Sequence, residues 1–336
     1  MPRLSVLLPV RDAADTLSEC LASLRAQTLT DHEVVAVDDG SCDASPASLE
    51  AWAREDSRLR VLHTSRIGLV PALNLALVEA RAPLVARMDA DDVAHPERLE
   101  RQARRLDEGA RVDVLGCRVE HFPEPGVPVA GGMRVYVDWL NGLLDHEAME
   151  RERFVESPLV HPSVAMRRQT LSDLGGWRDF DGPEDYDLWL RAFEAGLRFE
   201  KLEEVLLRWR DRPGRLTRSD PRYAPARFLA LKLAAIGRGP LATGRPVVVW
   251  GAGEIGKTWA RALRAAGHEV IAFVEVDPRK IGERIHGAPV MAVADAAALK
   301  GPLHLAAVGQ RGARERIRAE AARLGLADGD GLLAVA

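Results

Sequence analysis

Cysteine is scarce in this chain of 336 residues, which has only three, Cys20, Cys42 and Cys117. They are too few and too scattered for a disulfide framework or a zinc site, which favours a reducing compartment. There is also no apolar run of about 20 residues, so the sequence predicts no transmembrane helix. The N-terminus lacks the length and cleavage signal of a secretory peptide. We therefore expect a cytoplasmic protein, a location that is compatible with peripheral contact at the inner face of a membrane.

Neither sign of charge dominates the sequence. Lys and Arg total 46, Asp and Glu total 50, and the net charge is -4. This near balance gives no electrostatic case for a nucleic-acid partner. The hydrophobic fraction of 47% and the charged fraction of 29% are typical of globular proteins. A chain of this length is expected to form two domains.

Short apolar runs alternate with amphipathic segments, which predicts an α/β fold with a mostly parallel sheet. In the first half the predicted strands cover residues 4–10, 33–37, 60–63 and 84–88. The alternation restarts with predicted strands at 246–250, 269–274 and 303–308. We therefore expect a first domain over residues 1–240, with a linker at about 211–245, and a small Rossmann-like domain over 246–336.

Acidic residues follow two of the predicted strands, as Asp38-Asp39-Gly40-Ser41 and as Asp89-Ala90-Asp91-Asp92. Both groups therefore lie at the carboxyl ends of strands, which form the edge where open α/β sheets bind their ligands. A capped turn or a polar loop would explain either group without a ligand. However, burying several carboxylates is costly unless a cation or hydrogen bonds compensate. An Asp-x-Asp pair suits Mg²⁺, which takes one or two carboxylates together with phosphate oxygens.

A third acidic group, Glu184-Asp185, precedes the apolar residues Leu188 and Trp189. The apolar residues should attach this segment to a core. A carboxylate that is held in place in this way suits general base catalysis. Alternatively, the same acidic residues would simply stabilise the N-terminus of a helix.

The order and spacing of these motifs resemble those of family 2 glycosyltransferases over roughly residues 3–210. The motifs that carry the resemblance are Pro9-Val10, Asp38-Asp39-Gly40-Ser41, Arg66-x-Gly68, Ala72-Leu73-Asn74, Ala86-Arg87-Met88-Asp89-Ala90-Asp91-Asp92, Pro96-Glu97-Arg98-Leu99, His161-Pro162-Ser163, Gly175-Gly176-Trp177 and Glu184-Asp185-Tyr186-Asp187-Leu188-Trp189. The resemblance implies a GT-A fold. It also implies transfer, with inversion, of a sugar from a nucleoside diphosphate donor to a hydroxyl of a saccharide or lipid-linked saccharide, in cell-surface polysaccharide or glycoconjugate synthesis.

The resemblance assigns nucleotide contacts to the first motifs. Asp39 would read the base, with Asp38 beside it. Pro9 and Val10 would line the base pocket through their backbone, and Arg66 would contact the nucleotide.

The later motifs would hold the metal and the acceptor. Asp89 and Asp91 match the DXD motif, which implies bound Mg²⁺ or Mn²⁺. Asp89 would also face the ribose and donor sugar, and Asp91 the diphosphate. Asp185 matches the catalytic base, and Glu184 would lie next to it at the acceptor.

Three further residues have two interpretations each. His161 would either approach the metal or cap a turn before Pro162. Trp177 and Trp189 would either stack on sugar faces or pack in the core.

The C-terminal region carries the pattern Gly251-x-Gly253-x-x-Gly256 between a predicted strand and a predicted helix, with Glu275 after the next strand. This is the context of a nucleotide-binding fingerprint. The region resembles the small Rossmann-type domain of some bacterial glycosyltransferases. It is also similar to the nucleotide-sugar-binding domain of bacterial sugar acyltransferases, which implies a nucleotide or nucleotide-sugar ligand. A purely structural role for the glycines is an alternative. For the whole chain, the alternatives are an NAD(P)-dependent sugar oxidoreductase and a non-catalytic nucleotide-sugar-binding protein.

Overall fold

The computed structural model describes residues 1–108, 111–124, 131–299 and 301–336, and it divides into two compact units. The first unit comprises Met1–His146 and Pro158–Tyr223, and the second comprises Glu147–Ser157 and Ala224–Ala336. This division differs from the boundary expected at residues 240–246. The second unit includes the helix Pro225–Arg238, which lies upstream of that boundary, and also the short mid-chain segment Glu147–Ser157.

The first unit is built on a mixed sheet whose described strands are β1 (Leu4–Val10), β2 (His32–Asp38), β3 (Leu59–His63), β4 (Leu84–Arg87), β5 (Val93–Ala94), β6 (Val114–Pro123), β7 (Ala165–Arg167) and β8 (Phe199–Asp211). The strand order is β3-β2-β1-β4-β7-β6-β8-β5. Strands β1 to β4 run parallel, whereas β7 is antiparallel to both of its neighbours and β5 is antiparallel to β8. Every residue of β1 is buried, as expected for a continuous apolar strand in a parallel sheet.

Helices connect these strands. They are α1 (Ala14–Arg25), α2 (Ser45–Glu55), α3 (Leu69–Glu79), α4 (Arg98–Asp107), α5 (Gly131–Gly142), α7 (Arg168–Asp173), α8 (Glu184–Glu194) and, after β8, α9 (Leu216–Ser219), whereas α6 (His146–Glu152) lies almost wholly in the second unit. Helix α1 illustrates how they pack, because Leu17, Cys20, Leu21 and Leu24 recur at helical spacing and are buried in the core of the sheet.

The second unit is an α/β domain built on a sheet of its own. Its described strands are β9 (Val247–Trp250), β10 (Val270–Glu275), β11 (Arg284–Ile285), β12 (Ala288–Ala292), β13 (Leu303–Ala306) and β14 (Leu332–Ala334), and its helices are α10 (Pro225–Arg238), α11 (Glu254–Ala265) and α12 (Ala313–Arg323). The strand order is β11-β12-β10-β9-β13-β14. All these neighbours pair in parallel except β11 with β12.

The segment from residue 147 to residue 157 is tied into the second unit by charged groups. The buried carboxylate of Glu152 accepts hydrogen bonds from Arg314 at 2.8 Å and from Arg318 at 2.6 Å. The ammonium group of Lys232 donates to the carbonyl of Val155 at 2.6 Å. A buried carboxylate without such partners would be strongly destabilising, so these contacts make the segment an integral part of that unit.

Candidate active site

The carboxyl ends of β1, β2 and β4 lie at one edge of the first sheet. Val10 pairs with Asp38 at the last positions of β1 and β2, and Arg87, the last residue of β4, pairs with Leu7 within β1. The backbone N–H of Asp39 donates to the Val10 carbonyl at 2.8 Å. Because the strands are parallel, the residues that follow them converge here. The structure therefore brings Pro9, Val10, the two aspartates at the end of β2 and the acidic turn after β4 to the same edge.

Asp39 organises the loop that follows β3. Its buried carboxylate accepts hydrogen bonds from the backbone N–H of Ile67 at 2.5 Å, from the N–H of Gly68 at 3.0 Å and from the Thr64 hydroxyl at 3.1 Å. The guanidinium of Arg11 lies 3.6 Å away. This aspartate is thus fixed in place and faces a cationic side chain.

Arg66 lies in the same loop with an exposed side chain and a positive φ of 57°. A Cβ at Gly40 would lie 2.7 Å from the Arg66 backbone nitrogen, and Gly40 itself has a φ of +65°. Glycine is therefore required at position 40 for this loop to approach the end of β2.

The side chain of Asp38 has a different set of partners. Its carboxylate contacts Nδ1 of His63 at 3.1 Å and accepts a hydrogen bond from the N–H of Ser41 at 3.3 Å. His63 Nε2 lies 2.9 Å from the carboxylate of Glu50. Successive residues of a strand face opposite sides of the sheet. The structure therefore separates the side chain of Asp38 from that of Asp39.

Asp89, Asp91 and Asp92 can each present an oxygen within 4.8 Å of the others. Asp92 is almost fully buried. Its Oδ1 accepts the N–H of Arg210 at 2.8 Å, and its Oδ2 has no hydrogen-bond partner among the described residues. Burial and the neighbouring carboxylates raise the pKa of Asp92, and burial together with Asp89 raises the pKa of Asp91. Three crowded carboxylates with an unused buried oxygen form a donor set that fits a hard divalent cation.

Arginines that the sequence analysis missed surround this cluster. Nη1 of Arg87 lies 2.5 Å from Asp89 Oδ1, and Nε of Arg212 lies 3.5 Å from Asp91 Oδ2. Arg210 donates to the Asp91 carbonyl at 2.6 Å and also contacts Glu19. The alternation of arginines at 210 and 212 places them on one side of an extended segment, a signal available in the sequence. Arg210 lies in β8, and Arg212 lies at the start of the stretch expected to be a linker.

Glu184 and Asp185 begin helix α8. Glu184 is only 3% exposed, and it accepts a hydrogen bond from the Tyr223 hydroxyl at 2.6 Å. Burial raises the pKa of Glu184 despite this hydrogen bond. Asp185 is partly exposed and accepts the N–H of Tyr186 at 2.7 Å. The pair therefore consists of one enclosed carboxyl group and one that is accessible from solvent.

His161 lies beside this pair in a short 3₁₀ turn. Its Nε2 accepts a hydrogen bond from the indole N–H of Trp177 at 2.9 Å, and its Nδ1 lies 3.9 Å from Glu184. Burial lowers the pKa of His161, so the ring is neutral with its proton on Nδ1. Trp177 and Trp189 are both buried, which agrees with the core-packing interpretation of these tryptophans.

In the second unit, the glycine-rich turn joins β9 to α11. A Cβ at Gly256 would lie 1.9 Å from the Gly251 carbonyl oxygen, whereas a Cβ at Gly253 would meet nothing within 4 Å. Gly251 has a φ of +104°. Two of the three glycines are therefore required by the backbone itself, and Gly253 faces open space.

Glu275 ends β10 and is turned towards this glycine-rich turn. Its carboxylate accepts the N–H of Ala252 at 3.0 Å and that of Val276 at 2.8 Å, and Lys280 Nζ lies 3.3 Å away. Burial alone would raise the pKa of Glu275, but these hydrogen bonds hold it below its ordinary value. Both carboxylate oxygens are thus occupied by donors of the second unit itself.

In the part of the chain that the structure describes, no helix combines the length and the apolar character needed to cross a membrane.

Comparison with known proteins covers mainly the first unit. Residues 5–175, half of the chain, match the family described as Glycosyl transferase family 2. The amylovoran biosynthesis glycosyltransferase AmsE of Erwinia amylovora is 31% identical over 210 residues, which are 61% of this chain and 75% of AmsE.

Two solved structures share the fold. S. aureus TarS (residues 1–349, in complex with UDP-GlcNAc) has a TM-score of 0.56 and 23% identity, over 70% of this chain and 67% of TarS. The mannosyltransferase PcManGT of Pyrobaculum calidifontis (in complex with GDP-Man and Mn²⁺) has a TM-score of 0.53 and 21% identity, over 79% of each chain. The expected GT-A fold is thereby confirmed. From the family match and the likeness to AmsE, the chain belongs to glycosyltransferase family 2.

Proposed function

We propose that this glycosyltransferase is divalent-cation-dependent and inverting, and that it moves a sugar from a nucleoside diphosphate sugar to a hydroxyl acceptor. The observation that carries the proposal is the presence of two distinct carboxylate sites in the first unit. One is the cluster of Asp89, Asp91 and Asp92, which has an unused buried oxygen. The other is the pair Glu184 and Asp185, of which only Asp185 is accessible.

Asp89 and Asp91 would hold Mg²⁺ or Mn²⁺. Burial and the neighbouring carboxylates raise the pKa values of Asp91 and Asp92, so this cluster gains most from a bound cation. When bound, the cation neutralises the negative charge that accumulates on the diphosphate leaving group. The Mn²⁺ named with PcManGT, a protein of the same fold, supports this choice.

Around the cation, side chains of the chain itself would bind the donor. Asp39, already fixed by Ile67 and Gly68, would accept a hydrogen bond from the base, and the backbone of Pro9 and Val10 would line the pocket. Exposed Arg66 and the arginine at position 212 would face the phosphates. Asp38 would act indirectly, because its carboxylate is engaged by His63.

Asp185 would serve as the general base. A hydroxyl is a poor nucleophile until a carboxylate accepts its proton, and inversion requires one such base on the face opposite the leaving group. Asp185 is the accessible member of its pair, whereas Glu184 is enclosed and hydrogen-bonded. The name of AmsE supports a saccharide acceptor, and a lipid-linked saccharide at the inner face of a membrane is the form that we propose.

For the second unit we propose a nucleotide or nucleotide-sugar ligand at Gly251, Gly253 and Gly256. Its basis is the similarity of this region to the nucleotide-sugar-binding domain of bacterial sugar acyltransferases. The open space at Gly253 supports it. Glu275 would hold the turn rather than the ligand, because its oxygens accept from backbone donors. Because both oxygens of Glu275 already accept hydrogen bonds, the NAD(P)-dependent oxidoreductase alternative is disfavoured, since it needs a free acid to bind the ribose.

Thermal unfolding of the full chain with UDP-GlcNAc, UDP-galactose or GDP-Man, each with Mn²⁺ or with EDTA, tests the function. A bound donor at 100 times its Kd stabilises the fold by about 2.7 kcal/mol, and we expect this gain only with Mn²⁺. Asp185→Asn should retain the donor-induced shift and lose transfer and donor hydrolysis. If donor affinity falls together with turnover in this variant, the base assignment is wrong. If no donor shifts the transition, the proposed function is wrong.

A further inference from the structure

The Tyr223 hydroxyl donates a hydrogen bond of 2.6 Å to Oε2 of Glu184, 39 residues earlier in the chain. Tyr223 lies beyond β8, in the stretch expected to be a linker, and it belongs to the first unit. Burial and the negative charge of Glu184 raise the pKa of Tyr223 far above its ordinary value, so the hydroxyl remains a donor throughout the working pH range.

The chain directs Tyr223 to this position through a local turn. Residues Pro221–Tyr223 form a 3₁₀ turn, and the N–H of Tyr223 donates to the Asp220 carbonyl at 3.1 Å. The Asp220 carboxylate accepts the N–H of Arg222 at 2.9 Å and its guanidinium at 2.8 Å. Hydrogen bonds among residues 220–223 stabilise this turn, and the turn orients the Tyr223 side chain towards Glu184.

Glu184 is held from several sides. Tyr223 contacts one carboxylate oxygen, and His161 Nδ1 lies 3.9 Å from the other. The positive charges of Arg87 and Arg222 also act on it. At 3% exposure Glu184 is shielded from solvent, whereas the next residue, Asp185, is partly exposed. The enclosed carboxyl group is therefore suited to anchoring the first turn of α8 and the accessible one to chemistry.

We propose that Tyr223 is a positioning residue: its hydrogen bond to Glu184 fixes the first turn of α8 and thereby the orientation of the Asp185 carboxylate. The inference rests on the proposed function, which makes Asp185 the base. A base must lie within hydrogen-bond reach of the acceptor hydroxyl, and small displacements of such a group cost rate rather than affinity.

Steady-state hydrolysis of UDP-GlcNAc, UDP-galactose and GDP-Man with Mn²⁺ tests the role through Tyr223→Phe. We expect kcat to fall about tenfold, because a misplaced base slows the chemical step. We expect the donor KM to change less than about twofold, because donor contacts are retained. Tyr136→Phe, in helix α5 where the ring packs against Trp139, is the matched control and should keep the wild-type kcat. A Tyr223→Phe enzyme with wild-type kcat would overturn the proposal, whatever its thermal stability.

A spectroscopic measurement tests the hydrogen bond separately from turnover. Alkaline titration of tyrosinate absorbance should show one tyrosine that ionises at lower pH in Glu184→Gln than in the wild type. This step should be absent from the double variant with Tyr223→Phe. Coincident wild-type and Glu184→Gln curves would overturn the proposal. If the wild type hydrolyses no donor, the proposed function fails, while the titration still decides whether Tyr223 and Glu184 interact.

Discussion

Nε of Arg212 lies 3.5 Å from Oδ2 of Asp91, so a cation from beyond the end of β8 faces the acidic turn that follows β4. The backbone N–H of Arg210 donates to Asp92, and this hydrogen bond also holds the end of β8 against the acidic turn. In the absence of donor, the guanidinium offsets part of the repulsion among the three carboxylates. Under the proposed function, the same group would face the diphosphate of a bound donor.

Arg212→Ala should weaken donor binding. We expect the donor KM to rise about tenfold, which corresponds to about 1.4 kcal/mol for a lost charge-assisted hydrogen bond. Arg212→Lys should retain part of the affinity, because it keeps the charge without the planar donor pair. Steady-state kinetics with the best donor is the measurement, and Arg104→Ala, an exposed arginine of α4, is the control. An unchanged KM in Arg212→Ala would exclude this residue from the donor site.

Asp91→Asn should abolish the thermal stabilisation by Mn²⁺ together with metal-dependent donor hydrolysis. Folding raises the pKa of Asp91, so its ionised form costs stability at neutral pH, and the neutral amide removes that cost. In EDTA the variant should therefore be at least as stable as the wild type. Scanning calorimetry with EDTA and with Mn²⁺ separates the two effects, and the exposed Asp31→Asn is the control. Wild-type stabilisation by Mn²⁺ in Asp91→Asn would place the cation elsewhere.

The parts of the site that follow a strand directly could be predicted from the sequence. Asp39 and Asp89 were expected at one sheet edge because parallel strands deliver their carboxyl ends to the same place, and the structure brings them there. The contacts of Arg210 and Tyr223 could not be predicted. Arg210 and Asp91 lie 119 residues apart, and no local pattern links two side chains across such a distance.

Glu275 and Glu152 illustrate a second limit of sequence reasoning. Glu275 stands at the position expected for a ribose-binding acid, but the strand pattern does not reveal that its oxygens bond to the glycine-rich turn. Glu152 meets Arg314, 162 residues later, and so attaches a mid-chain segment to the second unit. The local sequence pattern predicts where a residue lies along a strand, whereas its hydrogen-bond partners depend on tertiary packing.

Stability should depend on pH through His63. Hydrogen bonds that its ring donates to the carboxylates of Glu50 and Asp38 raise the pKa of His63 above the ordinary value, so the protonated ring favours the folded state. The contribution is complete below the unfolded pKa of about 6.5, and it is lost as the pH rises through the higher folded pKa.

Urea unfolding of the wild type and of His63→Gln, at about pH 5.5 and about pH 8.5, measures this contribution of His63. The difference in unfolding free energy should be larger at the lower pH. The exposed His286→Gln, in the second unit, should show no such trend. A difference that is equal at both pH values would mean that His63 is not charged in the folded protein.

Gly256→Ala should destabilise the second unit, although the residue lies within helix α11. Helix propensity alone would make alanine more stable by up to about 1 kcal/mol. The added Cβ, however, would lie 1.9 Å from the carbonyl oxygen of Gly251, a backbone atom that no rotamer change can move. We therefore expect a loss of about 3 kcal/mol or more, at the upper end of overpacking costs.

Gly253→Ala is the matched control for Gly256→Ala, because a Cβ at Gly253 meets nothing within 4 Å and the backbone φ of -86° is allowed for alanine. Urea unfolding followed by circular dichroism measures both variants. If helix propensity dominated, Gly256→Ala would be more stable than the wild type. That result would mean that α11 does not approach the glycine-rich turn as closely as the structure shows. A selective loss in Gly256→Ala means that this glycine is required by packing whether or not the turn binds a nucleotide.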